Sequence, residues 1–184
     1  MKKWIMTTAI IGVISLSACG QADTTEEQPK QQHDMNHESM NHSSSEGAPD
    51  AVKKEKNPKF SVGSKVIMEA HHMPGMDGQQ ATVSGAYDTT VYSVTYTPTT
   101  GKKEPVKNHK WVIHEEIKKA SPTSYKKGDK VTLTADHMEG MAGARATIDS
   151  AKKTTVYMVD YKDADGQMIK NHKWVTENEL RAAH

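Results

Sequence analysis

The sequence predicts an all-β protein with two tandem modules, each a small SH3-like barrel, with an OB-like barrel as the alternative. The first observation is an internal repeat. Residues 60–96 and 125–161 align at a constant offset of 65 positions, which slips to 63 across a turn. The second is the alternation of apolar and polar side chains in short runs rich in β-branched and aromatic residues. Because short strands must protect their edges, each module is expected to close on itself.

The strands follow the same order in both copies and are clearest in the second. "KVTLT" alternates, "ARATIDS" follows a glycine-rich loop, and "TTVYMVDY" is β-branched and aromatic. Asp165-Gly166 predicts a tight hairpin turn into "QMIKNHKWV". "IHEEI" in the first copy and "TENEL" in the second predict a short helical turn after the last long strand.

The N-terminus predicts a secreted, lipid-anchored protein. Lys2 and Lys3 precede an apolar run, residues 5–16, that is too short to span a bilayer. Leu16-Ser17-Ala18-Cys19 resembles the lipobox of bacterial lipoproteins, which implies removal of residues 1–18 and a diacylglycerol, with palmitate among its acyl chains, on Cys19. The alternative is an ordinary secretory signal with a chance cysteine. The expected location is the extracytoplasmic face of the cell membrane.

Residues 19–59 are polar and are predicted to form a disordered tether, because they bury too little apolar surface to offset the entropy of ordering. The modules are expected at residues 60–120 and 121–184. The tether contains two copies of Met-Asn-His, a compositional metal signal. Its candidate ligands are His33, Met35, His37, Met40 and His42. The alternative is a solvated low-complexity linker.

Each module carries the pattern His-Met-x-Gly-Met-x-Gly after its first strand. The candidate metal ligands there are His71, His72, Met73, Met76, His137, Met138 and Met141. Imidazole and thioether donors together favour a soft metal, Cu(I) ahead of Cu(II), over the oxygen-loving Ca²⁺ and Mg²⁺. The alternative is that the methionines plug the barrel mouth as adaptable apolar fillers.

Both copies also contain "NHKWV". On a regular strand His109 and Trp111 share one face, as do His172 and Trp174. The tryptophans are expected to anchor the core and the histidines to bond at its edge. A sharper hypothesis makes the histidines further metal ligands and the indoles cation–π caps over copper.

Charge and motifs exclude several classes of protein. The chain has 24 basic and 23 acidic side chains, so removal of Lys2 and Lys3 leaves 24 − 2 = 22 against 23. This balance offers no footprint for nucleic acid. Nucleophile elbows, phosphate loops and paired-histidine zinc motifs are missing, and Cys19 is the only cysteine, so an enzyme is not expected. A cell-wall or peptide-binding SH3-like module is the alternative.

The tandem "HMxGMxGxxAT…TVYxVxY…NHKWV" behind a lipobox resembles the YdhK family of bacterial lipoproteins, which includes CopL-like copper-resistance proteins. The resemblance covers nearly all of residues 60–184. It implies copper binding outside the cell that limits copper entry. Copper is the expected bound metal, and no catalytic cofactor is expected. Expected partners are the membrane, metal ions and either a copper exporter or the cell wall. The matching residues are His72, Met73, Met76, Asn108, His109 and Trp111, then His137, Met138, Met141, Asn171, His172 and Trp174.

Overall fold

A computed structural model describes residues 47–183, which lie in one compact unit. This part of the chain contains strands and two 3₁₀ turns but no α-helix, so the predicted all-β class is confirmed, and no helix in it is long and apolar enough to cross a bilayer. The elements are β1 (Lys53–Lys54), β2 (Lys65–Met68), β3 (Gln80–Tyr96), β4 (Val106–Ile113), a 3₁₀ turn (His114–Glu116), β5 (Lys130–Thr132), β6 (Arg145–Lys162), β7 (Met168–Thr176), a second 3₁₀ turn (Glu177–Glu179) and β8 (Leu180–Ala182).

The two longest strands, β3 and β6, come from different copies and pair antiparallel along nearly their whole length. Thr89 lies opposite Thr154. These two threonines are equivalent positions of the repeat, 65 residues apart. A pseudo-twofold axis therefore passes between them, and each long strand crosses from one half of the fold to the other.

The remaining pairings also join the copies. β2 pairs with β3 and with β8, the last strand of the second copy. In the other half β5 pairs with β6, and an isolated bridge joins Ile117 of the first copy to Leu133 of the second. β4 extends the sheet from β3, and β7 extends it from β6. All eight strands belong to one sheet.

Two apolar cores result, and each is built from half of each copy. The first contains Phe60, Val66, Met68, Ala70, Met76, Ala81, Val83, Ala86, Tyr157, Val159, Tyr161, Ile169, Val175 and Leu180. The second contains Tyr92, Val94, Tyr96, Val112, Ile117, Val131, Leu133, Ala135, Met141, Ala144, Ala146 and Ile148.

The predicted closure of each copy into its own SH3-like barrel is not confirmed. The sheet is open, and strands of both copies build each core. The reason is the length of β3 and β6, 17 and 18 residues, which carry the chain past its own core and into the other.

Residues 47–59, assigned to the tether from their polarity, pack on the fold. Lys53 and Lys54 of β1 pair with Asp88 and Tyr87 of β3. Val52 is buried in a central cluster between the cores, with Tyr87, Val91, Ile113, Val156, Met158 and Trp174. A two-residue strand is too short to produce the alternation by which strands are found in a sequence. Residues 1–46, with the predicted signal peptide, Cys19 and the tether ligands His33, Met35, His37, Met40 and His42, lie outside the described residues.

Candidate functional site

The two His-Met loops follow β2 and β5 and have the same backbone bonding. The Gly78 N–H donates to the Met68 carbonyl at 2.8 Å, and the Gly143 N–H donates to the Leu133 carbonyl at 2.9 Å. Gly140 has φ +71°, and a Cβ atom there would lie 2.8 Å from the Thr100 carbonyl oxygen. Gly75, Gly78 and Gly143 also have positive φ, so the left-handed backbone of both loops favours glycine at these positions.

The methionines of these loops point inward. Met76 and Met141 are fully buried, one in each core. Met73 and Met138 are partly buried and pack against the same cores. This is the packing that the barrel-plug alternative predicts for Met76 and Met141, and it puts four thioether groups beneath the loops.

The histidine of each loop bonds to a glutamate of the other copy. His72 Nε2 lies 2.6 Å from Glu179 Oε1, and His137 Nε2 lies 2.8 Å from Glu116 Oε1. The two imidazoles are only 6% and 9% exposed. The glutamates end the two 3₁₀ turns and are equivalent positions of the repeat, 63 residues apart.

The second oxygen of each glutamate is surrounded by donors. Trp111 Nε1 donates to Glu179 Oε2, and Trp174 Nε1 donates to Glu116 Oε2, both at 2.9 Å. Glu116 Oε2 also accepts the Ile113 N–H at 3.1 Å. Glu179 Oε2 also accepts the Thr176 N–H at 2.9 Å and its hydroxyl at 2.7 Å. We call these groups the His72 site (His72, Trp111, Thr176, Glu179) and the His137 site (His137, Ile113, Trp174, Glu116).

Both carboxylates are held in the ionised form. Burial by itself would raise the pKa of Glu179, but the hydrogen bond from His72, the charge of that ring when it is protonated, and the two bonds from Thr176 outweigh it and lower the pKa to about 2. Burial also opposes ionisation of Glu116, and there the charge of His137 when that ring is protonated, its hydrogen bond, and the bonds from Trp174 and Ile113 bring the pKa below its ordinary value.

These shifts predict a loss of stability in acid. A carboxyl whose pKa is lower in the folded state stabilises the fold above its unfolded pKa, and this contribution disappears as the pH falls through the folded pKa. For Glu179 the window runs from about pH 4.5 down to about pH 2. We expect the free energy of unfolding, measured in urea, to fall across this window and to fall less steeply in Glu179→Gln. Glu69→Gln, at an exposed residue, is the control and should keep the parent slope. An unchanged dependence of stability on pH in Glu179→Gln would contradict the lowered pKa of Glu179.

The second ring nitrogen, Nδ1, has the same surroundings in His72 and in His137. The Nδ1 atoms of His72 and His137 are buried and have no hydrogen-bond partner among the described residues. A buried imidazole nitrogen without a partner is costly, so its occurrence at both equivalent positions calls for a ligand or another functional reason. Nδ1 is also the nitrogen that remains available when Nε2 is bonded to a carboxylate.

The residues of "NHKWV" contact different sites. The His109 ring lies 6.1 Å from the His137 ring, whereas the Trp111 ring lies 5.9 Å from the His72 ring in an edge contact. The expectation of one shared face for His109 and Trp111 is wrong, because β4 contains register shifts and Asn108 adopts φ +50°. In the second copy His172 packs against Tyr161, with ring centroids 5.6 Å apart.

The indoles are hydrogen-bond donors to the sites as well as core residues. Trp174 is fully buried in the central cluster, as predicted for a core anchor, with the Tyr87 ring edge-on at 5.7 Å. Trp111 packs against the same cluster but is only partly buried, and Lys110 Nζ lies 5.1 Å from the centre of its ring. A protein cation therefore already contacts the indole that was a cation–π cap candidate.

His71 lies apart from the His72 site. Its side chain is 77% exposed, and its Nδ1 lies 3.8 Å from Asp77. Within residues 47–183, no group of three or more His, Cys, Asp or Glu side chains is arranged to hold a metal ion. A metal held by these loops would therefore need thioether sulfur in addition to imidazole.

Glu116 and Glu179 are the residues that the sequence did not single out. Both lie in short acidic segments, "HEE" and "ENE", that resemble solvated turns. The available signal was their equivalence in the repeat, since glutamate ends both segments at an offset of 63. A carboxylate that occurs at the equivalent position of both copies is a candidate for a buried role.

Comparison with known proteins agrees with the repeat. The model of the family "Protein of unknown function (DUF1541)" matches residues 62–114 and 127–177. The "Uncharacterized protein YdhK" of Bacillus subtilis (strain 168) is 54% identical over 173 residues, which cover 92% of this chain and 84% of that protein.

Solved structures of the same relative have a similar fold. The crystal structure of the DUF1541 family protein ydhK from B. subtilis subsp. subtilis str. 168 is 57% identical, covers 80% of this chain and all of that chain, and has a TM-score of 0.76. The solution NMR structure of the ydhK C-terminal domain is 60% identical, covers 67% of this chain and 93% of that chain, and has a TM-score of 0.63. The chain, with its two DUF1541 repeats, therefore belongs to the YdhK family.

Proposed function

We propose that the protein is a copper-binding lipoprotein, anchored through diacylglycerol on Cys19 at the extracytoplasmic face of the cell membrane, that sequesters copper and contributes to copper resistance. The observation that carries the proposal is the pair of buried imidazoles whose Nδ1 atoms lack a partner. Each belongs to a loop that also contributes two methionines to the underlying core.

The donor chemistry favours Cu(I). His72 with Met73 and Met76 would hold one ion, and His137 with Met138 and Met141 would hold another, with His109 beside the second site. Because these loops do not combine three hard ligands, zinc and hard divalent ions are poorly matched, whereas imidazole and thioether suit Cu(I). The buried, apolar surroundings of Met76 and Met141 would keep water from a bound ion.

The carboxylate behind each histidine is a further reason for the proposal. Histidines that bind metals usually donate their other ring N–H to a carboxylate, a carbonyl or water. His72 and His137 each have a glutamate in that position. The methionines and histidines of residues 33–42 would add weaker sites, because a segment without a scaffold must lose its conformational freedom on binding.

The proposal is tested by replacing the sulfur donors while conserving apolar volume. Met73→Leu with Met76→Leu should leave the free energy of unfolding within about 1.5 kcal/mol of the parent, since leucine and methionine are similar in size. The same pair of changes should sharply weaken one equivalent of Cu(I), measured by competition with a Cu(I) chelator under reducing conditions. Met138→Leu with Met141→Leu should weaken a second equivalent.

His72→Ala should weaken the Cu(I) equivalent that depends on Met73 and Met76, and His137→Ala should weaken the equivalent that depends on Met138 and Met141. His71→Ala is the matched control, because the His71 side chain is exposed and lies apart from the His72 site. Zinc should compete poorly in all of these proteins. Unchanged Cu(I) binding by a variant that lacks all four loop methionines and residues 20–46 would contradict the proposal.

A further inference from the structure

A neutral imidazole carries its proton on one of its two ring nitrogens, Nδ1 or Nε2. The hydrogen bond between His72 Nε2 and Glu179 Oε1 permits two arrangements, since either the ring or a protonated carboxyl could donate. The same holds for His137 and Glu116. A neutral imidazole with its proton on Nε2 has a lone pair on Nδ1, whereas the other tautomer has a buried N–H there.

The donors on Oε2 decide between the arrangements. The Trp111 indole N–H and the Thr176 backbone N–H can only donate, and both donate to Glu179 Oε2. The Trp174 indole and the Ile113 backbone bond Glu116 Oε2 in the same way. A carboxyl group whose Oε2 accepts two such bonds is stabilised in its ionised form. Oε1 then has no proton to give, so it accepts the hydrogen bond that it shares with the imidazole. The imidazole is therefore the donor in each pair.

We propose that Glu116 and Glu179 are positioning residues, each of which fixes the tautomer of the other copy's histidine so that Nδ1 is the nitrogen open to a ligand. The burial of both Nδ1 atoms without a protein partner agrees with this assignment. Each site then consists of a histidine from one copy and a carboxylate from the other, so neither copy contains a finished site. That the ligand on Nδ1 is copper rests on the proposed function, whereas the tautomer does not.

Glutamine in place of either glutamate should reverse the tautomer. A side-chain amide has one acceptor and one donor end. The indole N–H and the backbone N–H are fixed donors, so the amide oxygen should turn toward them and the NH₂ group toward the histidine. The imidazole can adapt by moving its proton to Nδ1, and that nitrogen is then closed to a metal. The change keeps the size of the side chain.

The experiment is long-range ¹H–¹⁵N correlation on the full chain with ¹⁵N-labelled histidine, free of metal, at a pH where both rings are neutral. His72 and His137, assigned from single substitutions, should carry the proton on Nε2. Glu179→Gln should reverse His72 only, and Glu116→Gln should reverse His137 only. Glu177→Gln and Glu115→Gln, in the same 3₁₀ turns but bonded to Tyr157 and Thr89, are matched controls that should reverse neither.

Parent protein with the proton on Nδ1 of His72 or His137 would overturn the proposal, and this result needs no variant to fold. Absence of reversal in both well-folded glutamine variants would overturn it as well. Cu(I) titration of the same samples should show about a 10–100-fold weaker equivalent in each glutamine variant, the size typical for loss of a partner behind a metal-bound histidine. Reversal with unchanged Cu(I) affinity would support the positioning role and reject copper binding at these nitrogens.

Discussion

The second copy alone, residues 121–184, is expected not to fold as a monomer. Its Tyr157 and Val175 belong to a core completed by Val66, Met68 and Met76 of the first copy. Without the first copy, β6 also loses its pairing with β3. A single copy would expose these surfaces, and the stability of a small domain is only about 5–15 kcal/mol. At low concentration the fragment should show narrow amide dispersion by NMR and no cooperative thermal transition.

Mixing with the first copy provides the matched control. Residues 47–120 added to residues 121–184 should restore dispersed spectra, because the pairings between β3 and β6 do not require a continuous chain.

At high concentration and without the first copy, the second copy is expected to dimerise. Thr154 would then lie opposite Thr154 of the other molecule, as the pseudo-twofold pairing of Thr89 with Thr154 implies. A folded monomer of residues 121–184 in analytical ultracentrifugation would contradict the shared cores.

Replacing Trp174 by alanine is expected to cost more stability than any other single change in the two sites. Trp174 is fully buried, packs against Tyr87 and donates to Glu116. Large-to-small changes at buried aromatic positions cost about 3–5 kcal/mol, and here a buried carboxylate also loses a donor. The midpoint of urea denaturation should fall accordingly.

Trp111→Ala is the matched comparison, because Trp111 is the equivalent residue with the equivalent hydrogen bond to Glu179. Its indole is only partly buried, so the loss of free energy should be distinctly smaller. Equal losses at the two tryptophans would show that the deeper burial of Trp174 adds nothing to the shared hydrogen bond, and the prediction would be wrong.

Local pattern made much of this protein predictable. The repeat, the strands of each copy and the loop motif depend on residues close together in sequence, where alternation and glycine spacing restrict the backbone directly. The burial of Trp174 followed from the preference of large aromatic side chains for cores. Even the alternative for Met76 and Met141, as apolar fillers, could be stated from the residue type alone.

The pairing of copies could not be read from the same patterns. A strand such as residues 145–162 has the same alternation whether it pairs within its own copy or with the other, because the pattern shows only that one face is buried. β1 was missed because two residues have no period. The irregular β4, with Asn108 at positive φ, separated His109 from Trp111, which a regular strand would have kept together.

The sequence by itself determined two copies of one β-rich unit, each with a His-Met loop and an "NHKWV" strand. Only the tertiary structure decided that β3 and β6 cross between two shared cores and bring Glu179 to His72 and Glu116 to His137. The physical reason is that a glutamate in a short acidic turn has the same sequence signature whether water or a buried imidazole is its partner. His72 lies 107 residues from Glu179 along the chain, and His137 lies 21 residues from Glu116. The members of each pair become neighbours only when the two copies fold together.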